Sequence, residues 1–154
     1  MNSFQHHSHS CFGIRPFHLL LGIVLLFSAC SPSIAPYSGH AYELAVDLKV
    51  DGLRLMDKAE LPYAEFKPKV EALQLRMDKA YEFAAGRPKN DHSTEQWKLM
   101  NNRNGFLMAG FLQRWESEST LSSSFIREAK EIISLAFDSI IGLESGKLGG
   151  NQSK

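Results

Sequence analysis

The side chains able to do chemistry are few and unevenly placed. The chain has two cysteines and six histidines among 154 residues. His6, His7, His9, His18 and Cys11 all precede Cys30, and only His40 and His92 follow it. A Ser-His-Asp system would have to use one of those two histidines. Both fall in or beside expected connections, and no nucleophile-elbow glycine pattern surrounds any serine. The Glu-x-x-His pairs of a di-iron bundle, the Cys-x-x-Cys-His of covalent haem attachment and a phosphate-cradling glycine loop are all missing. The residues therefore offer no catalytic, cofactor-binding or metal-ligating set, and the expectation is a protein that is not an enzyme and carries no cofactor.

Cys30 has the most informative surroundings. The run from Leu19 to Ala29 is apolar, but too short to cross a bilayer, which takes roughly twenty such residues. It has the length of the hydrophobic region of a signal peptide. The small residues Ser28 and Ala29 then lead directly into Cys30. This ending resembles the lipobox of bacterial lipoproteins. The resemblance implies that residues 1–29 are removed, that the Cys30 thiol receives a diacylglyceryl group, and that the new amino terminus is acylated with a palmitate-like chain. Two positions depart from the family pattern: Phe27 stands where leucine is usual, and the opening from Met1 to Pro16 has Arg15 as its sole permanent cation. A single lipid chain holds weakly, at about 0.8 kcal/mol per buried CH2, whereas several chains anchor firmly. Ser31 follows the cysteine where aspartate would favour inner-membrane retention. The resemblance therefore places the protein in the cell envelope, and in a Gram-negative host on the outer membrane facing the periplasm. The histidine-rich opening would be discarded with the export segment.

After Cys30, sixteen of the seventeen Lys and Arg residues remain beside all seventeen acids. That balance carries no electrostatic footprint for nucleic acid, so the expected contacts are a membrane, through the lipid, and an envelope protein partner. With Cys30 modified no thiol remains for a disulfide, so packing must supply the stability. Residues 30–39 combine two prolines with Ser and Gly and read as a flexible tether. Such a segment reaches about 15–18 Å.

The elements that must position any site follow a helical period. Ala41, Ala45, Leu48, Gly52, Leu55 and Ala59 recur at alternating steps of four and three, and Gly52 on that seam predicts a close neighbour. Glu43, Asp47 and Asp51, with Arg54 and Lys58, read as a solvated face, because no histidine accompanies them at ligand spacing. A second helix is predicted from Tyr63 to Ala85 on Phe66, Val70, Leu73, Met77, Ala80 and Ala84. Pro68 lies near its start, and Gly86-Arg87-Pro88 closes it. Arg87 to His92 reads as a solvated connection. Ser93 and Gln96 have capping-box spacing and are expected to open the next helix. The run Asn101 to Gly105 is poor helix sequence and predicts a break between a short helix 93–101 and a longer one 105–117. Asn102, Arg103 and Asn104 in that break, with Trp97, Phe111 or Trp115 as aromatic walls, form the candidate ligand or partner contacts. The last helix is expected from Ser122 to Ser145 on Phe125, Ala129, Ile132, Ile133, Ala136, Phe137, Ile140 and Leu143, followed by a disordered tail, 147–154.

These patterns predict an all-α domain over residues 40–146, an antiparallel four-helix bundle with its third helix broken near 101–105. The function they favour is a membrane-anchored envelope lipoprotein carrying a helical interaction or structural module. A small-ligand-binding lipoprotein with an aromatic pocket is the alternative, and an envelope hydrolase comes last.

Overall fold

The structure is a computed structural model in which residues 34–149 are described. The export segment, Cys30 and the end of the tail, 150–154, lie outside those residues. Five α-helices and no strand make up the described residues: α1 Gly39–Met56, α2 Tyr63–Ala85, α3 Asp91–Met100, α4 Met108–Glu118 and α5 Ser123–Gly149. No helix among them is long and apolar enough to cross a membrane.

Helix α1 starts where the Ser38 hydroxyl accepts from the Ala41 amide at 3.3 Å, as an N-cap should. Its predicted seam is the buried one, with Ala41, Ala45, Leu48, Gly52 and Leu55 all inside. The close neighbour expected at Gly52 is Met108, the first residue of α4. A β-carbon on Gly52 would lie 2.6 Å from the Met108 methyl carbon.

Helix α2 begins at Tyr63, so Pro68 is inside it, where its ring leaves the Ala64 carbonyl without the usual amide donor. Two backbone bonds tie the α1–α2 connection to the α4–α5 connection. Tyr63 N–H donates to the Ser119 carbonyl and Leu121 N–H to the Ala59 carbonyl, each at 2.8 Å. Ser119 adopts φ 67° and Lys89 φ 60°, left-handed values uncommon outside glycine. Both turned residues offer their carbonyls to another segment, Ser119 to Tyr63 and Lys89 to Ala35 at 2.9 Å.

Helix α1 packs on α2 and α5, α2 also on α3 and α4, and α3 on α5. The shared core includes Leu48, Met56, Val70, Met77, Met100, Leu112, Ile133, Phe137 and Ile140. Trp115 is fully enclosed, its indole N–H donating to the Leu61 carbonyl at 3.0 Å.

Three expectations need correction. Helix α3 begins at Asp91, so Ser93 is its third residue and not its cap; the Ser93 hydroxyl is turned inward to Glu144, while the Thr94 hydroxyl bonds back to the Asn90 carbonyl. Helix α5 does not end at Ser145-Gly146 but runs to Gly149. Lys147 is buried and hydrogen-bonded, so residues 147–149 belong to the helix and not to a tail. The segment 34–38 is not free tether: Ala35 is buried, its amide bonds to Lys89, and the Pro36 carbonyl accepts from Arg87.

The buried seam of α5 is narrower than the predicted stripe, since Ile132 is 55% exposed. Gly142 and Gly146 lie on an open side, where an added β-carbon would meet nothing within 4 Å. Replacing both with alanine is expected to raise stability by about 1 kcal/mol per site, the helix-propensity difference. A denaturant midpoint that fails to rise would contradict the open placement of this side.

Candidate functional site

The break at 101–107 is an ordered connection, and its asparagines explain why. Asn101 donates its side-chain amide to the Met77 carbonyl of α2 at 3.1 Å. The Asn102 side-chain oxygen accepts from the Asn104 amide at 3.0 Å, and its carbonyl accepts from Gly105 at 3.0 Å, an Asx-type turn. The connection thus holds its own shape and leaves Phe106 91% exposed. An isolated exposed apolar residue is ordinary, but this one stands beside a groove.

That groove, of about 510 Å³, runs between the connection, α4 and the start of α5. It is lined by Phe111, Phe125, Ala129 and the largely exposed Ile132, together with the charged Arg103, Arg114, Glu118 and Glu128. The Phe111 and Phe125 rings are stacked with centroids 5.9 Å apart. The Arg114 guanidinium lies 4.1 Å from the Phe125 ring centre and bonds Glu118 at 2.8 Å, so cation–π attraction and an ion pair fix one wall.

The sequence-predicted contact residues divide. Arg103 and Asn104 line the groove, whereas Asn102 faces a separate hollow beside Asp78, Tyr81 and Lys98. Trp97 and Trp115 are core residues, 3% and 0% exposed, so they do not wall a pocket at the break. Trp97 meets the Phe137 edge at 6.2 Å, and Trp115 meets Tyr63 and Phe66 at 5.6 Å. The aromatic members of the groove are Phe106, Phe111 and Phe125. Phe106 stands directly after Gly105, off the apolar period of both flanking helices, and that isolation was its sequence signal.

A second constellation joins the end of α5 to the start of α3. Glu144 accepts from Ser93 and Lys147 at 2.7 Å each, and from Arg87 at 3.1 Å. Lys147 also donates to the Asn90 side-chain oxygen at 2.6 Å and to the Ser93 hydroxyl at 3.1 Å. Asn90 in turn donates to the Ala84 carbonyl at 2.9 Å. Burial by itself pushes the Glu144 carboxyl up and is the largest single influence. The hydrogen bonds from Lys147 and Ser93, the Lys147 charge and the Arg87 bond together outweigh it and hold the group below its ordinary value.

A serine beside a lysine invites a nucleophilic reading. The Lys147 ammonium, however, spends its three protons on Glu144, Asn90 and Ser93, and so presents no lone pair to take the serine proton. Ser93 is also 1% exposed. The arrangement clasps the α2–α3 connection to α5. His92 is exposed beside it, and exposed His40 packs edge-on against Phe83 at 5.0 Å. Among the described residues no cluster of three or more His, Cys, Asp or Glu is placed to hold a metal. No protein-family model, curated protein or solved structure matches the chain.

Proposed function

We propose that the protein is a lipid-anchored component of a bacterial cell envelope whose helical domain is an interaction module, not an enzyme. In this reading the five helices form an antiparallel four-helix bundle with its third member split into α3 and α4. The groove beside Phe106 receives an amphipathic helix of an envelope protein. The exposure of Phe106 carries the reading, because covering a phenylalanine is worth about 1.5–3 kcal/mol and the connection that displays it is braced by Asn101 and Asn102. Groove charges of both signs suit the mixed polar flank of such a helix better than a nucleic acid. Ala35 is docked on the domain, so the segment 34–38 belongs to the module itself.

The test has two arms. Cys30→Ala is expected to abolish palmitate labelling and move the protein out of the membrane fraction; unchanged fractionation would overturn the anchor. A photoreactive phenylalanine analogue at position 106, irradiated in the native envelope, is expected to give one discrete protein adduct, lost when Ile132→Lys puts a charge in the groove lining. Adducts to lipid alone, or none, would overturn the interaction module.

A further inference from the structure

A cleft of about 360 Å³ lies between α1 and α2, on residues that neither the anchor nor the Phe106 groove uses. Four cations line it, Arg54 from α1, Lys58 from the α1–α2 connection and Lys69 and Arg76 from α2, against one acid, Asp51. Asp51 is committed to Arg76 by an ion pair. Among the described residues, neither the Arg54 nor the Lys58 side chain makes a hydrogen bond or ion pair, and the Lys69 ammonium meets only the Phe66 ring, 5.7 Å from its centre. Three positive charges without an anionic partner thus converge on one hollow in a chain whose formal net charge is zero.

The hollow is not simply a charged surface. Its floor is apolar: Leu55 and Leu73 are buried, 8% and 4% exposed, and Phe66 is half-buried. Ala72 lies between Lys69 and Arg76 in sequence, and its small side chain leaves room between the two long ones. The volume falls within the ~300–1,000 Å³ of small-molecule sites, which pair an apolar lining with a few placed polar groups. Cations above an apolar floor match a ligand with an oxyanion at one end and a hydrocarbon body at the other. The guanidinium of Arg54 can grip such a head through two bonds, and the lysines supply mobile charge.

We infer that this α1–α2 cleft binds a small amphiphilic oxyanion, a phosphate or carboxylate head on an apolar body, through Arg54, Lys58 and Lys69 over Phe66. The inference does not depend on Cys30 or on the Phe106 groove. Phe66 packs on Trp115 at 5.6 Å, so occupancy of the cleft should alter tryptophan emission, giving a direct readout.

The experiment titrates the purified protein at low salt with octyl phosphate, octanoate, inorganic phosphate and neutral octyl glucoside, followed by tryptophan emission and calorimetry. At least one of the two octyl anions is expected to bind tenfold or more tighter than both inorganic phosphate and octyl glucoside. Preference for octyl phosphate assigns a phosphate head, as a phospholipid bears, and preference for octanoate assigns a fatty-acid head; either supports the site. The triple variant Arg54→Gln, Lys58→Gln, Lys69→Gln is expected to lose that tenfold advantage without a lower thermal midpoint, since it removes charges that have no partner within the domain. Octyl glucoside binding as tightly as the anions, an unaffected triple variant, or no binding by any probe would overturn the inference.

Discussion

Glu144→Ala is expected to destabilise the domain by about 4 kcal/mol, the scale of breaking a buried charge pair by removing one partner. The side chains of Glu144 and Lys147 are 2% and 7% exposed, and that of Arg87 is 14% exposed. Deleting the carboxylate leaves both cations in a low-dielectric site with only neutral acceptors, the Asn90 amide and Ser93 hydroxyl for Lys147 and the Pro36 carbonyl for Arg87. Urea unfolding of Glu144→Ala, Lys147→Ala and the double variant checks the argument. The double variant should recover at least ~1 kcal/mol relative to the sum of the singles, because residues in one hydrogen-bonded network couple by up to ~3 kcal/mol. Additive losses would mean that the two groups do not share a site. Loss should also be local: amide exchange ought to accelerate most in the last turns of α5, in the α2–α3 connection and in the segment 34–38, the three pieces that the cluster joins.

The same carboxylate gives a pH dependence of definite sign. Its folded value is held below the ordinary 4.5, so the folded state binds fewer protons than the unfolded chain as acid is added. The stability it contributes is fully present above pH 4.5 and drains away as pH falls through the lower folded value. Glu144→Gln should therefore flatten the acid limb of the stability curve while remaining less stable than the parent at neutral pH. An acid limb of unchanged steepness would assign the loss to other carboxylates.

Much of this fold was legible because it is written in one period. The seam Ala41, Ala45, Leu48, Gly52, Leu55 is buried as the sequence ordered it, and the turn-forming run Asn101 to Gly105 falls in the connection between α3 and α4. The clasp was missed because its members are polar. Continuing the α5 steps of four and three past Ile140 lands on Glu144 and then Lys147, and a charge on a seam position is itself a sign of a buried partner. The partners could not be read, since Asn90 and Lys147 stand 57 residues apart. Ser93 misled for a related reason: a serine followed by glutamine at capping distance fits a helix start, but the long-range demand of Glu144 claimed its hydroxyl. The tryptophans show the limit of residue type alone. Both lie on apolar seams, and position on a seam outweighs the binding tendencies of an aromatic ring.

Gly110→Ala is expected to cost about 3 kcal/mol, at the upper end of ordinary overpacking, and to dismantle the Phe106 groove as it does so. A β-carbon there would lie 1.9 Å from the Gly105 carbonyl oxygen and 2.7 Å from its carbon. These are backbone atoms, so no side-chain rotation relieves the clash; the connection must lift off α4 or α4 must start later. Gly52→Ala is the internal comparison, because its clash, at 2.6 Å, is with the methyl end of Met108. A flexible thioether can swing away, and alanine returns about 1 kcal/mol of helix propensity. That substitution should therefore change stability by less than about 1 kcal/mol in either direction. The two glycines separate packing from shape: Gly52 admits a helix to a side chain, whereas Gly110 admits a loop to a helix. A fluorinated phenylalanine at position 106 should report a large resonance shift in Gly110→Ala and little change in Gly52→Ala. If both variants lose equal stability, or if the 106 resonance ignores Gly110→Ala, then the connection is not seated on α4 through this glycine, and the display of Phe106 has another origin.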